Sequence, residues 1–300
     1  MPALAIILVL ISAITHTTWN SLSKNITASC KTIMMANFLS IIVFIPLSYF
    51  VKDDLGLYKT FLIPGAITGI TNALAFWGLL AAYRAGDLSF VYPLKNALPI
   101  LYSTIFGIII GKAAEISPIA YIGFAFIIVG CVLLPIENPK IITVKTFLTK
   151  SILFTAIAAM GTAVYSNVDS SIINNIKTIA PHLSNFQIGI LYIPYMAFTT
   201  ALFLLPFMFA DKKFYNVDFR AEKNNYLMLF LMGIFINVGY MLVFIAYGIA
   251  DNVNYVVAFR QTGMVLTMLV GFIVLKEKPY PCKVTGGLMI LSGLILTALF

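Results

Sequence analysis

"AYRAGDLSFVYPLKNALPI" (residues 82–100) and "AYGIADNVNYVVAFRQTGMV" (residues 246–265) carry one pattern twice. Ala-Tyr opens both, Asp87 matches Asp251, and after a one-residue gap Lys95-Asn96 matches Arg260-Gln261. Lys95 is the only charged side chain between Asp87 and Lys112, and Arg260 the only one between Asp251 and Lys276. The order holds on either side. "IVG" at 128–130 matches "LSG" at 291–293, and "ISAITHTTWNSLSKN" from Ile11 matches "IAAMGTAVYSNVDSS" from Ile157, setting Trp19 against Tyr165. Residues 1–148 and 149–300 therefore read as two copies of one unit.

The surroundings of these stretches say what the unit is. The chain has 300 residues, 61% hydrophobic and 10% charged, with a mean hydropathy of +0.98, far from a soluble domain. A membrane span needs about 20 mostly apolar residues. Ten such segments are predicted, at 3–23, 32–51, 61–83, 89–111, 117–135, 151–173, 186–209, 226–249, 253–275 and 284–300. The expected fold is an all-α integral membrane protein of ten transmembrane helices. Five spans per copy is odd, so the second copy enters the bilayer from the opposite side, giving two inverted five-helix repeats.

Of the 19 Lys and Arg, 13 fall in connections after odd-numbered spans and 4 after even-numbered ones, which places the odd-numbered connections in the cytoplasm and the protein in the cell membrane. The basic residues form no run of five or six, so the net charge of +8 reads as a topology signal and nucleic acid is not expected as a partner. The connections 136–150 and 210–225 are too short for a core of their own. Cys30, Cys131 and Cys282 are scattered and imply neither metal nor disulfide. "GIIIGK" (107–112) has one residue too few between its glycines for a phosphate-cradling loop, and HExxH and GxSxG are missing. No enzyme and no cofactor is expected. Monomer and homodimer both stay open.

Lys95 lies eight residues after Asp87, about 12 Å along a helix and too deep for easy snorkelling in a core about 30 Å thick. A charge at the centre of a span costs roughly 3 kcal/mol. Two cations at matching positions need a shared cause: an anionic substrate, a structural ion pair with Asp169, or a water-filled path. Asp87 and Asp251 read as N-caps of the helices that follow. His16, Trp19 and Asn20 on the first span, Asn96 beside Lys95, Tyr165 on the sixth span, Asn237 and Tyr240 on the eighth and Gln261 beside Arg260 complete a candidate substrate cavity. Asp169 and His16 are candidates for proton coupling. Asn72, Trp77, Tyr192 and Tyr195 rank lower.

"HTTWNSLSK" closing the first span, "LKEKPYPCKVTGGLMILSGLIL" at 275–296 and the ten-span order together resemble the EamA-type branch of the drug/metabolite transporter superfamily. The first copy departs from the pattern, with "GKAAEISP" where a glutamate turn would stand, and no role is assigned to Glu115 or Glu277. The resemblance implies a proton- or gradient-driven carrier or exchanger of small metabolites, but no particular substrate. In placement Lys95 and Arg260 resemble the basic residues with which the phosphate-translocator relatives hold anions. The expected function is secondary transport, by alternating access, of a small metabolite bearing phosphate, phosphonate or carboxylate. The alternatives are export of a zwitterion such as an amino acid, and a membrane scaffold that transports nothing.

Overall fold

A computed structural model describes residues 2–25, 29–49, 51, 56–109, 117–210, 225–249, 256 and 259–299. The helices are α1 (Ala3–Asn25), α2 (Cys30–Ser48), α3 (Tyr58–Ala85), α4 (Leu88–Ile109), α5 (Pro118–Leu133), the single turn α6 (Val144–Phe147), α7 (Lys150–Ile179), α8 (Asn185–Ala210), α9 (Asn225–Ile249), α10 (Thr262–Ile273) and α11 (Pro281–Leu299). Apart from α6, each falls on a predicted span. Among the described residues, six stretches are long and apolar enough to cross a membrane: 3–22, 30–48, 58–85, 144–169, 185–209 and 226–243. Three shorter apolar helices, Pro118–Leu133, Thr262–Ile273 and Pro281–Thr297, accompany them. The protein is an all-helical, multi-pass membrane protein.

Local chemistry sets several helix starts. Ser29 accepts from the Thr32 N–H at 3.2 Å, Ser117 from the Ala120 N–H at 3.1 Å and Thr149 from the Ile152 N–H at 3.2 Å, each satisfying an orphan donor of the first turn. Ser184 and Gln187 form a reciprocal capping box before α8.

The helices pack as α3 on α7, α1 on α9, α5 on α11, α2 on α8, α3 on α8, α2 on α9, α4 on α7, α1 on α10 and α4 on α10. Hydroxyls join several pairs: Ser12 Oγ donates to the Gly239 carbonyl at 2.7 Å, and Thr17 and Thr267 share a hydrogen bond of 3.0 Å. Where α5 meets α11, backbone touches backbone. A methyl built on Gly130 would stand 2.6 Å from the Gly286 carbonyl oxygen, and one on Gly286 would stand 2.8 Å from that of Gly130. Gly123 and Gly293 repeat the same reciprocal approach. Small residues are the means by which spanning helices come this close. Gly130→Val should therefore cost about 3 kcal/mol or more through overpacking, whereas Gly56→Ala, with nothing within 4 Å of the new methyl, should be close to neutral. Thermal melts of the two detergent-purified variants check this contrast.

The start of α4 is set from elsewhere in the chain. Asp87 stands at the cap position, its carbonyl accepting from the Phe90 and Val91 N–H groups. Its carboxylate does not cap: it pairs with Lys283 Nζ at 2.6 Å, which corrects the expectation for this residue. The capping carboxylate belongs to Glu277, whose Oε1 accepts from the Leu88 N–H at 2.7 Å and Oε2 from the Ser89 N–H at 2.8 Å. The physical reason is reach: Lys283 draws Asp87 away while the turn after α10 delivers a second acid. Lys276, at φ 56°, takes the left-handed conformation that reverses the chain there. Gly271 leaves the space, since a methyl on it would stand 2.6 Å from Glu277 Oε2. Asp251, which the sequence alignment sets against Asp87, lies outside the described residues, as does Glu115.

Candidate functional site

Helix α4 places Lys95 two residues beyond Pro93, which removes one ladder hydrogen bond at this depth. Lys95 is half-buried, and among the described residues no carboxylate pairs with it. Arg260, just before α10, acts on Lys95 through its charge, and both cations act on His16 of α1. The field of Arg260 also reaches Tyr92 on α4 and Tyr165 on α7. Residues from four different parts of the chain thus share one electropositive neighbourhood.

His16 is held in one tautomer. Trp19 Nε1 donates to His16 Nδ1 at 3.0 Å, and an indole N–H can only donate, so neutral His16 carries its proton on Nε2. That Nε2 is enclosed and has no hydrogen-bond partner among the described residues. The ring therefore presents a donor.

The other candidates divide by what they already bind. The Trp19 ring is buried edge-on to Phe76 with centroids 5.8 Å apart. Asn20 is engaged at both ends of its amide, donating to the His16 carbonyl at 2.7 Å and accepting from Tyr83 at 2.5 Å. Asn96 donates to the Tyr92 carbonyl at 2.9 Å. Asn237 donates to Ser40 Oγ at 2.9 Å and to the Gly233 carbonyl at 3.0 Å, while its Oδ1 is buried without a partner among the described residues. Gln261 serves the first turn of α10 through its carbonyl, which accepts from the Met264 N–H at 3.0 Å. Of the lower-ranked residues, Asn72 donates to Thr200 at 3.2 Å and Trp77 packs between Phe154 and Phe207.

Asp169 does not neutralise Lys95. It is 2% exposed, and three hydroxyls from three other helices hold it. Oδ1 accepts from Thr68 of α3 at 2.7 Å and from Tyr192 of α8, and Oδ2 accepts from Tyr240 of α9 at 2.6 Å. Tyr165 lies one turn earlier on the same helix and senses both Asp169 and Arg260. The acidic cluster and the basic neighbourhood are therefore neighbours.

The sequence model of the EamA-like transporter family matches residues 149–299, half of the chain. The chain belongs to the EamA-like transporter family. It is accordingly a membrane transporter of the drug/metabolite transporter superfamily, whose EamA members are transporters and not enzymes. No curated protein matches it. For this EamA-like transporter, sequence reading missed Thr68, Glu277 and Lys283 as organising residues. A threonine in an apolar span carries no distinguishing pattern. The glutamate turn did carry one, and only its partners at Leu88 and Ser89 were illegible.

Proposed function

We propose that this EamA-like transporter is a secondary carrier that moves a small anionic metabolite, bearing phosphate, phosphonate or carboxylate, across the cell membrane. The observation that carries this reading is Lys95: a half-buried cation deep in the helix bundle, within the field of a second cation and without a carboxylate among the described residues. An ammonium in that position is costly until a negative group joins it. Arg260 can grip such a group bidentately while Lys95 acts as a point charge, and the Nε2 donor of His16 suits an acceptor oxygen.

Alternating access follows from a pairing of ten spans as two inverted halves, 1–148 and 149–300. The helix contacts support it, because exchanging each helix for its counterpart turns α3 on α7 into α9 on α1, α3 on α8 into α9 on α2, and α4 on α7 into α10 on α1, all of which occur. The charge count favours cytoplasmic odd-numbered connections.

Purified protein should be thermally stabilised by members of a panel of phosphorylated and carboxylated metabolites. A ligand at 100 times its Kd adds about 2.7 kcal/mol to the native state. Stabilisation by cationic compounds alone would sink the anion reading. Stabilisation by amino acids but by no simple anion would favour the zwitterion exporter.

A further inference from the structure

We infer that Asp169, gripped by Thr68, Tyr192 and Tyr240, is the binding site of a transported proton, and that this proton and the anion at Lys95 and Arg260 load together. The second half of this inference rests on the anion reading; the first does not.

Three hydroxyls supply dipoles to Asp169 but no counter-charge, and among the described residues no Lys, Arg or His pairs with it. An ionised carboxylate at membrane depth wants a cation. A proton is the cation for which this cluster has room, because Thr68, Tyr192 and Tyr240 sit directly on the carboxylate oxygens at hydrogen-bond distance, where a sodium ion would have to stand. The cluster also tolerates both states. A carboxylate only accepts, whereas a hydroxyl donates or accepts, so protonated Asp169 can give its O–H to one partner, which then rotates. The proton comes from water on one side, forms the O–H bond on Asp169 and leaves to water on the other, with no change of oxidation state.

The groups that surround Asp169 connect it to the cations. From α3 it meets Thr68, which does not titrate; from α8 Tyr192, with Tyr195 beyond; from α9 Tyr240; and on its own helix Tyr165. From α4, Tyr92 acts on Tyr165, as does Arg260 beside α10. Tyr165 and Tyr240 act on one another. Helix α7, which carries Asp169 and Tyr165 one turn apart, packs on α4, which carries Lys95, so the two sites stand on one helix contact. An anion seated on Lys95 and Arg260 brings negative charge to this helix pair, which favours a proton on Asp169, and by linkage the proton favours the anion to the same degree. Co-loading of this kind is the requirement for symport. Thr68 lies in the first proposed half while Asp169, Tyr192 and Tyr240 lie in the second, so the protonation state also bears on the contact between halves.

The test uses the full chain reconstituted in lipid, with inorganic sulfate and acetate as probes because their charges stay constant near neutral pH. Infrared difference spectra between higher and lower pH should show a protonated-carboxyl C=O band that is absent in Asp169→Asn and displaced in frequency in Tyr240→Phe. The apparent affinity for sulfate or acetate should tighten as pH falls, approaching tenfold per pH unit for one linked proton, and should be flat in Asp169→Asn. A band or a pH slope that survives in Asp169→Asn overturns the assignment. A wild-type slope that follows sodium and not pH overturns it in favour of a metal cation. If neither probe stabilises the wild type while the band is present and vanishes in Asp169→Asn, the proton site stands and the anion reading falls.

Discussion

Lys95→Gln is expected to weaken binding of an anionic ligand by roughly 30-fold or more while leaving the ligand-free protein as stable as before, or more stable. Two opposed effects of one side chain lead to this. In the loaded state Lys95 is one member of a desolvated charge pair, and truncating such a member costs about 2–5 kcal/mol, which sets the fold-change. In the empty state Lys95 faces the like charge of Arg260 and, among the described residues, no carboxylate. Replacing a buried charge of that kind by a neutral polar group of similar length removes a desolvation penalty. Arg260→Gln should lose affinity at least as severely, since the planar fork that recognises two oxygens goes with the charge. Thermal melts with and without ligand read both effects in one experiment. A Lys95→Gln protein that binds anions as well as the wild type removes Lys95 from the site; one that is unfolded without ligand makes it a structural cation.

The second large effect is expected at Glu277. Its two oxygens satisfy the N–H groups of Leu88 and Ser89 at 2.7 and 2.8 Å, and each hydrogen bond to a charged acceptor contributes about 1.5–3 kcal/mol. Glu277→Ala leaves both donors bare and should cost about 3–6 kcal/mol. Glu277→Gln keeps one acceptor oxygen and should cost about half as much. Gly271→Ala should resemble the alanine variant, because its methyl would occupy the place of Glu277 Oε2. Chemical denaturation of the three variants in detergent orders them. Equal stability of the alanine and glutamine forms would mean that water, and not Glu277, caps α4. Since α4 carries Lys95 seven residues after Leu88, loss of the cap should also show as weakened anion binding.

Most of the architecture was legible because membrane physics writes it in composition. Spans must be apolar and about 20 residues long, and most helix boundaries fall within a few residues of the hydropathy segments, the exceptions being the start of α10 at Thr262 and the end of α7 at Ile179. The proposed repeat rests on odd residues in matching places, Lys95 and Arg260 above all. What the sequence hid is the pairing of polar side chains across helices. Asp87 read as a cap from its position, yet the acid that caps α4 stands 189 residues away from Leu88. Asp169 read as the one acid placed to pair with the cations and as a proton-coupling candidate, and nothing in the sequence signals that its oxygens are held by Thr68, Tyr192 and Tyr240. Local pattern determines which residues are polar at depth, while the packing of α3, α8 and α9 around α7 determines whom they meet. Asn20 shows the same limit: its place one turn from His16 suggested a ligand contact, and Tyr83 claims its oxygen.

The glycine contact between α5 and α11 has a consequence for ancestry. Gly123 meets Gly293 and Gly130 meets Gly286, so each helix gives the other what it receives, in antiparallel register. That reciprocity defines an isologous interface, the kind that two identical subunits form about a twofold axis. A single five-helix chain meeting a copy of itself upside down in the bilayer would produce this seam without any further invention. Under the proposed division into 1–148 and 149–300, joining two such copies in one chain leaves each free to specialise, with a lysine at 95 and an arginine at 260.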